Sequence, residues 1–175
     1  MNINRIVTVG AIIAVVLSVP FFGRNWNRLM HLVGGVLFLG NIIVTAAWAS
    51  LGRRSRDAEA IRFLVRGILL TDAIFTVPGV ILLALNGGIL GTVFFKAGAP
   101  WIIVSVVLFA ITGMVWGALL VPVQKRLAQL VNTMPHGGPI PAEYDALMAK
   151  WFRFGGIATL LALIVFALMV FKPAF

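Results

Sequence analysis

"RGILLTDAIFTVPGVILLALN", residues Arg66 to Asn86, reads as nearly unbroken hydrocarbon around one carboxylate, Asp72. A helix needs about 20 mainly apolar residues to cross a ~30 Å hydrocarbon core, and this run has that length. Its apolar residues are continuous rather than alternating, unlike a strand of a membrane barrel. In lipid the only other spanning solution is a helix, which satisfies its own backbone groups. The stretch therefore sets the fold class: all-α and membrane-spanning.

Four further runs flank it: Ile6 to Phe22, Arg28 to Leu51, Trp101 to Val121 and Trp151 to Phe171. They predict a polytopic helical membrane bundle of five transmembrane helices in a single integral membrane domain, 1–175. The helices fall at about 6–22, 28–51, 62–86, 101–124 and 142–171, with a loop over 125–141. The first, interrupted by Pro20, follows Arg5, and "SVPFFGRNW" offers no small-x-small cleavage site, so it reads as a retained signal anchor before a four-helix core. "NTMPHGGPIP" is dense in turn formers, and Pro141 suits the first turn of the last helix, where Glu143 and Asp145 complement its dipole. "NGGILGTVFFKAGAP" reads as a partly inserted loop or a short interfacial helix.

The composition agrees. The chain is 61% hydrophobic and 11% charged, against about 45–50% and ~25% in soluble domains. Its net charge of +9 sits in clusters at the ends of apolar runs, which argues against nucleic acid as a partner and for the lipid bilayer. The absence of cysteine excludes disulfides, thiolate metal sites and iron–sulfur ligation.

Lys and Arg set the orientation. Arg5, Arg53, Arg54, Arg56, Arg62, Arg66, Lys125, Arg126, Lys150 and Arg153 fall on one side; Arg24, Arg28, Lys96 and Lys172 fall on the other. The expectation is a multi-pass membrane protein with a cytoplasmic N-terminus and an external C-terminus.

An ionisable group inside the membrane is costly and informative. Asp72 lies about 9 Å beyond Arg66 along a helix, Asn41 about 20 Å beyond Arg28, and Trp116 about 22 Å beyond Trp101, all at one height. Thr76 is one turn along on the face of Asp72, and Thr159 approaches from the last helix. These five predict a buried polar layer, with two readings open: interhelical glue, or a proton-linked or ligand-binding site centred on Asp72.

His31 lies near the other boundary, where a neutral imidazole satisfies a backbone carbonyl or ligates a b-type haem. Gly34 and Gly35 would let a macrocycle approach, or let helices pack closely, and Met30 and Met114 are candidate weak second ligands. Gly113 and Gly117 form a GxxxG helix-packing pattern that suits a homo-oligomer. Pro78 cannot donate to Ile74, which predicts a kink beyond Asp72. No metal-ligand spacing, nucleophile constellation or phosphate loop is present, which argues against an enzyme.

"HLVGGVLFLGNIIVTAAW", "LLTDAIFTVPG", "PWIIVSVVL…WGALLVPVQ" and "IPAEYDALMAKWFRFGG" together resemble the bacterial integral membrane family known as domain of unknown function 2269. The residues carrying the likeness are His31, Gly40, Asn41, Trp48, Asp72, Pro78, Gly79, Trp116, Pro122, Gln124, Tyr144 and Trp151. It implies a protein of the bacterial inner (cytoplasmic) membrane with a four-helix core and no stated activity. A more distant likeness, through His31, Phe38 and Gly40, is to four-helix membrane protoporphyrinogen oxidases and copper-resistance membrane proteins. The Lys and His that the oxidases carry in the helix corresponding to Trp101 to Trp116 have no counterpart here.

Three functions follow as expectations. The first is a non-catalytic membrane subunit or scaffold packing against itself or a larger complex. The second is a small b-type haem redox protein using His31, and the third a proton-linked carrier or sensor built on Asp72.

Overall fold

The computed structural model describes residues 3–19 and 23–174. The described residues form helices and connecting turns: α1 (Ile3–Leu17), α2 (Gly23–Ser55), α3 (Ala58–Thr71), α4 (Val77–Lys96), α5 (Pro100–Met114), α6 (Val121–Thr133) and α7 (Ala142–Phe171). α3 runs into α4 through a π turn, Asp72–Thr76, and α5 into α6 through a second, Val115–Leu120.

Four continuous helices are long and apolar enough to cross a membrane: Gly23–Ser55, Ala58–Lys96, Pro100–Thr133 and Ala142–Phe171. The shortest has 30 residues, about 45 Å of helix, so every one outruns a ~30 Å core and its ends project beyond it. The expected fifth span differs. α1 has 15 residues, about 22 Å, short of a crossing. The expected end of that helix near residue 22, with Pro20, lies outside the described residues.

Other boundaries also move outward. α4 continues to Lys96 through Gly87 and Gly88, so the expected loop or interfacial segment after Asn86 is helix. α6 continues to Thr133, so the loop expected from 125 begins at Met134. Both extensions satisfy backbone groups that a loop would leave to water. Gly98, at φ 68°, takes the left-handed conformation that turns α4 into α5.

Both π turns end immediately before a Val-Pro pair. The amide of Val77 donates to the carbonyl of Asp72, and that of Val121 to Trp116, each five residues back. Pro78 and Pro122 have no N–H, and the wider turn before each proline accommodates the interrupted ladder. The expected disturbance at Pro78 is thus a π turn that begins at Asp72 itself.

Packing divides the bundle into two ends. At the arginine-rich end α3, α6 and α7 share a cluster containing Ile61, Val65, Leu127, Val131, Met148 and Trp151. At the opposite end Ala14, Met30 and Leu82 join α1, α2 and α4. α2 shows how the pattern selects its faces: Met30, Gly34, Phe38, Asn41, Thr45, Ala49 and Gly52 are buried at three- and four-residue spacing, while Leu32, Val36 and Ile43 face outward. α2 meets α4 backbone to backbone. A Cβ added to Gly34 would lie 2.8 Å from the Gly79 carbonyl oxygen.

Candidate functional site

Asp72 opens the first π turn and gathers donors from both its neighbours in space. Its Oδ1 accepts from Asn41 Nδ2 of α2 at 2.7 Å and from its own Thr76 Oγ1 at 2.9 Å. Its Oδ2 accepts from Gln124 Nε2 of α6 at 2.7 Å. Asn41 Nδ2 also donates to Thr76 Oγ1 at 2.8 Å, closing a three-membered ring of hydrogen bonds. Asn41, Thr76 and Gln124 are themselves buried. Among the described residues no Lys, Arg or His pairs with Asp72, so its partners are all neutral. Every one of them can reverse its role: a hydroxyl donates or accepts, and an amide turned over presents oxygen instead of nitrogen.

Of the five residues expected in the polar layer, the structure brings three together: Asp72, Asn41 and Thr76. Trp116 packs instead against the apolar cluster at the arginine-rich end. Thr159 donates to the carbonyl of Gly155 in its own helix at 2.7 Å. The partner missed is Gln124. It stands on the helix that follows the second π turn, where counting residues from Trp101 at a uniform rise puts it beyond the core.

A second network was not anticipated. Asn27 Nδ2 donates to Asn86 Oδ1 at 2.9 Å, and Asn86 Nδ2 donates to Ser18 Oγ at 2.8 Å and to the Leu82 carbonyl at 2.9 Å. It joins α2, α4 and the turn after α1 with fully buried neutral groups. Two asparagines at one expected boundary, on helices that prove adjacent, were the available signal.

His31 Nδ1 lies 3.1 Å from the Leu83 carbonyl, and its ring lies against Gly87, where an added Cβ would sit 2.9 Å from Cε1. Gly34, expected to leave room for a macrocycle, is filled by the backbone of α4, and Gly35 has only Leu83 near it. Met30 packs with Ala14 and Leu82, and Met114 is exposed. Neither cavity described below is lined by His31. These residues fit a helix contact rather than a haem.

The arginine-rich end is laced by side chains. Arg62, buried on α3, donates through Nε to the Val131 carbonyl at 3.0 Å and through Nη2 to the Met134 carbonyl at 2.6 Å. Both acceptors lie at the end of α6, where a cation also complements the helix dipole. Arg66 Nη2 donates to Asn132 Oδ1 at 2.8 Å. With Asp72 and Gln124 these pairs hold α3 and α6 in antiparallel register. Asp57 caps α3 by accepting from the amides of Glu59 and Ala60. A cavity of about 520 Å³ opens between Arg53, Arg54, Arg56, Ser50, Asp145 and Phe152. A second, of about 10 Å³, lies beside Gln124 among Val65, Ile68, Leu69, Leu127, Met148 and Trp151.

GxxxG at Gly113 and Gly117 faces outward, with nothing within 4 Å of an added Cβ at either position.

Long apolar helices around buried amides, with one half-buried carboxyl among them, define an integral membrane protein of the polytopic α-helical class. The chain belongs to the family described as predicted integral membrane protein (DUF2269), which matches residues 26–173. That span takes in both networks except Ser18, and every helix except α1 and the start of α2. No curated protein and no solved structure matches the chain significantly.

Proposed function

We propose that this protein is a proton-linked membrane sensor or carrier in which protonation of Asp72 biases the arrangement of α2, α3–α4 and α6. The observation that carries this reading is the contrast between the two networks. Ser18, Asn27 and Asn86 join three elements with no ionisable group. Gluing helices therefore needs no carboxyl, yet the network at Asn41, Thr76 and Gln124 is built around one. A half-buried carboxyl with buried, neutral, reversible partners suits a group that gains and loses a proton without leaving its site. Its π turn places it where the helix ladder is already interrupted, a feature frequent at functional sites. The adjacent cavity of about 10 Å³ is far too small for an organic substrate.

The protein on this reading is a multi-pass component of the bacterial inner membrane, non-enzymatic, with the arginine-rich end cytoplasmic and the C-terminus outside. α1 is a fifth membrane-inserted helix, docked on α4 by Gly10 against Pro78 and by Ser18 on Asn86.

The test is Asp72→Asn in detergent-solubilised protein, with amide hydrogen exchange across residues 69–80 followed from about pH 5 to 9. A pH-dependent change of protection in the native chain that vanishes in a folded Asp72→Asn variant supports proton linkage. Identical profiles in the two proteins refute it. A variant that does not fold favours glue.

A second reading, a non-catalytic subunit or scaffold that packs against itself or a larger complex, is favoured by the outward-facing Gly113 and Gly117. The chain has no cysteine, so disulfide cross-linking of a Gly113→Cys variant in membranes reads a self-interface directly. Cross-linking at Gly113 and not at an exposed Leu32→Cys supports that reading; equal yields at both count against it.

A further inference from the structure

We infer that the cavity between the end of α2 and the first turns of α7 binds a phosphate group, carried by an anionic lipid headgroup or by a soluble phosphate compound. Arg53, Arg54 and Arg56 line it together with one carboxylate, Asp145. Arg56 Nη1 meets both carboxylate oxygens, at 2.9 and 3.0 Å, and Arg53 Nε stands 3.7 Å away. Asp145 thereby anchors Arg56, lies beside Arg53 and neutralises one charge, leaving an excess of positive charge on the wall.

The Arg54 side chain has no hydrogen bond or ion pair among the described residues, and its five N–H donors remain available. Planar guanidinium groups bind phosphate oxygens through paired hydrogen bonds, which a lysine does not reproduce. The volume of about 520 Å³ falls within the few hundred Å³ typical of small-molecule sites.

The backbone at Arg56 points the same way. It adopts φ 51° directly after α2, a left-handed conformation that glycine or asparagine takes with less strain. An arginine held there keeps its side chain for the bridge to α7. Ser50 and Phe152 place the inner wall at the edge of the apolar span, beside exposed Leu51, within reach of a lipid headgroup as well as of water.

The experiment uses the full chain in neutral detergent, with native mass spectrometry and thermal unfolding in the presence of phosphatidylglycerol, phosphatidylcholine or inorganic phosphate. The expected result is one retained phosphatidylglycerol per chain and a raised Tm, both absent with phosphatidylcholine. Arg54→Gln should weaken retention roughly tenfold, the loss of about one charge-assisted hydrogen bond. Arg54 holds no partner, so this variant should fold as the native chain does. Arg54→Lys, which keeps the charge without the fork, should weaken it less. Lys125→Gln, an exposed cation outside the cavity, should leave it unchanged. If inorganic phosphate raises Tm as much and displaces the lipid, the ligand is a soluble phosphate; if it does neither, the headgroup is the ligand. Equal loss in Lys125→Gln and Arg54→Gln would show a diffuse basic surface and overturn the proposal, as would no effect of either phosphatidylglycerol or phosphate.

Discussion

Gln124 Nε2 donates to Asp72 Oδ2 at 2.7 Å, and this bond joins the two interrupted helices of the bundle. Asp72 begins the π turn before Pro78, and Gln124 follows the π turn before Pro122. One carboxyl is thus shared between two places where the helix ladder has slack.

Gln124→Leu removes that donor while nearly preserving volume. Asp72 then keeps Asn41 and Thr76 on Oδ1 and has an unsatisfied Oδ2. The expected cost is about 1 kcal/mol at neutral pH, the low end of the range for stranding a polar group, because Asp72 is half-buried. Thermal unfolding in detergent measures it. The loss should shrink on acidification, because an unpartnered oxygen costs less on a neutral carboxyl than on a charged one.

The α2–α4 contact predicts opposite behaviour for glycines six residues apart. Gly34→Val drives a side chain into the Gly79 carbonyl and Leu82, with an expected cost of at least about 1–3 kcal/mol from overpacking. Gly40→Ala meets nothing within 4 Å and should be neutral or stabilising by up to about 1 kcal/mol through helix propensity. Unfolding midpoints of the two variants against the native chain decide it.

How far the sequence discloses the site depends on which coordinate of a residue it supplies. Helix rise gives height, and height brings Asn41 to Asp72 and Thr76. It does not give the face of the helix. Trp116 has the right height, but its ring belongs to the apolar cluster, and the hydroxyl of Thr159 is taken by its own backbone. Gln124 was legible only as one of the residues carrying the family likeness. A π turn widens the helix and resets the phase of everything after it, and only Pro122 hints at one there. The four long spans were legible because continuous apolar runs have no other stable form in lipid. Their ends were not, since α4 runs on through a glycine pair to Lys96 and α6 through Lys125 and Arg126 to Thr133.

Asn86→Asp tests the contrast between the networks from the other side. Asn86 donates through Nδ2 to Ser18 and to the Leu82 carbonyl. A carboxylate oxygen in that position faces a carbonyl oxygen. At neutral pH the variant should lose about 3 kcal/mol, as for an uncompensated buried charge. Protonation restores one donor, so stability should fall as pH rises, and unfolding midpoints across the pH range follow the trend. Docking of α1 should weaken in parallel, read as faster hydrogen exchange in Ile3–Leu17.

Arg62 predicts the largest loss at the arginine-rich end. Its guanidinium is buried and serves the Val131 and Met134 carbonyls. Arg62→Met keeps the length of the stem but leaves both carbonyls without that donor. Hydrogen bonds from a charged donor are worth about 1.5–3 kcal/mol each, so two bonds set the scale of the loss at roughly 3 kcal/mol or more. The exposed Arg126, paired with Glu143 at 2.7 Å, is the matched comparison, because exposed ion pairs contribute about 0–1 kcal/mol. Chemical unfolding of Arg62→Met and Arg126→Met side by side measures the difference. Hydrogen exchange should localise the Arg62→Met effect to the last turn of α6, where the bundle depends on a side chain from α3 to close the helix.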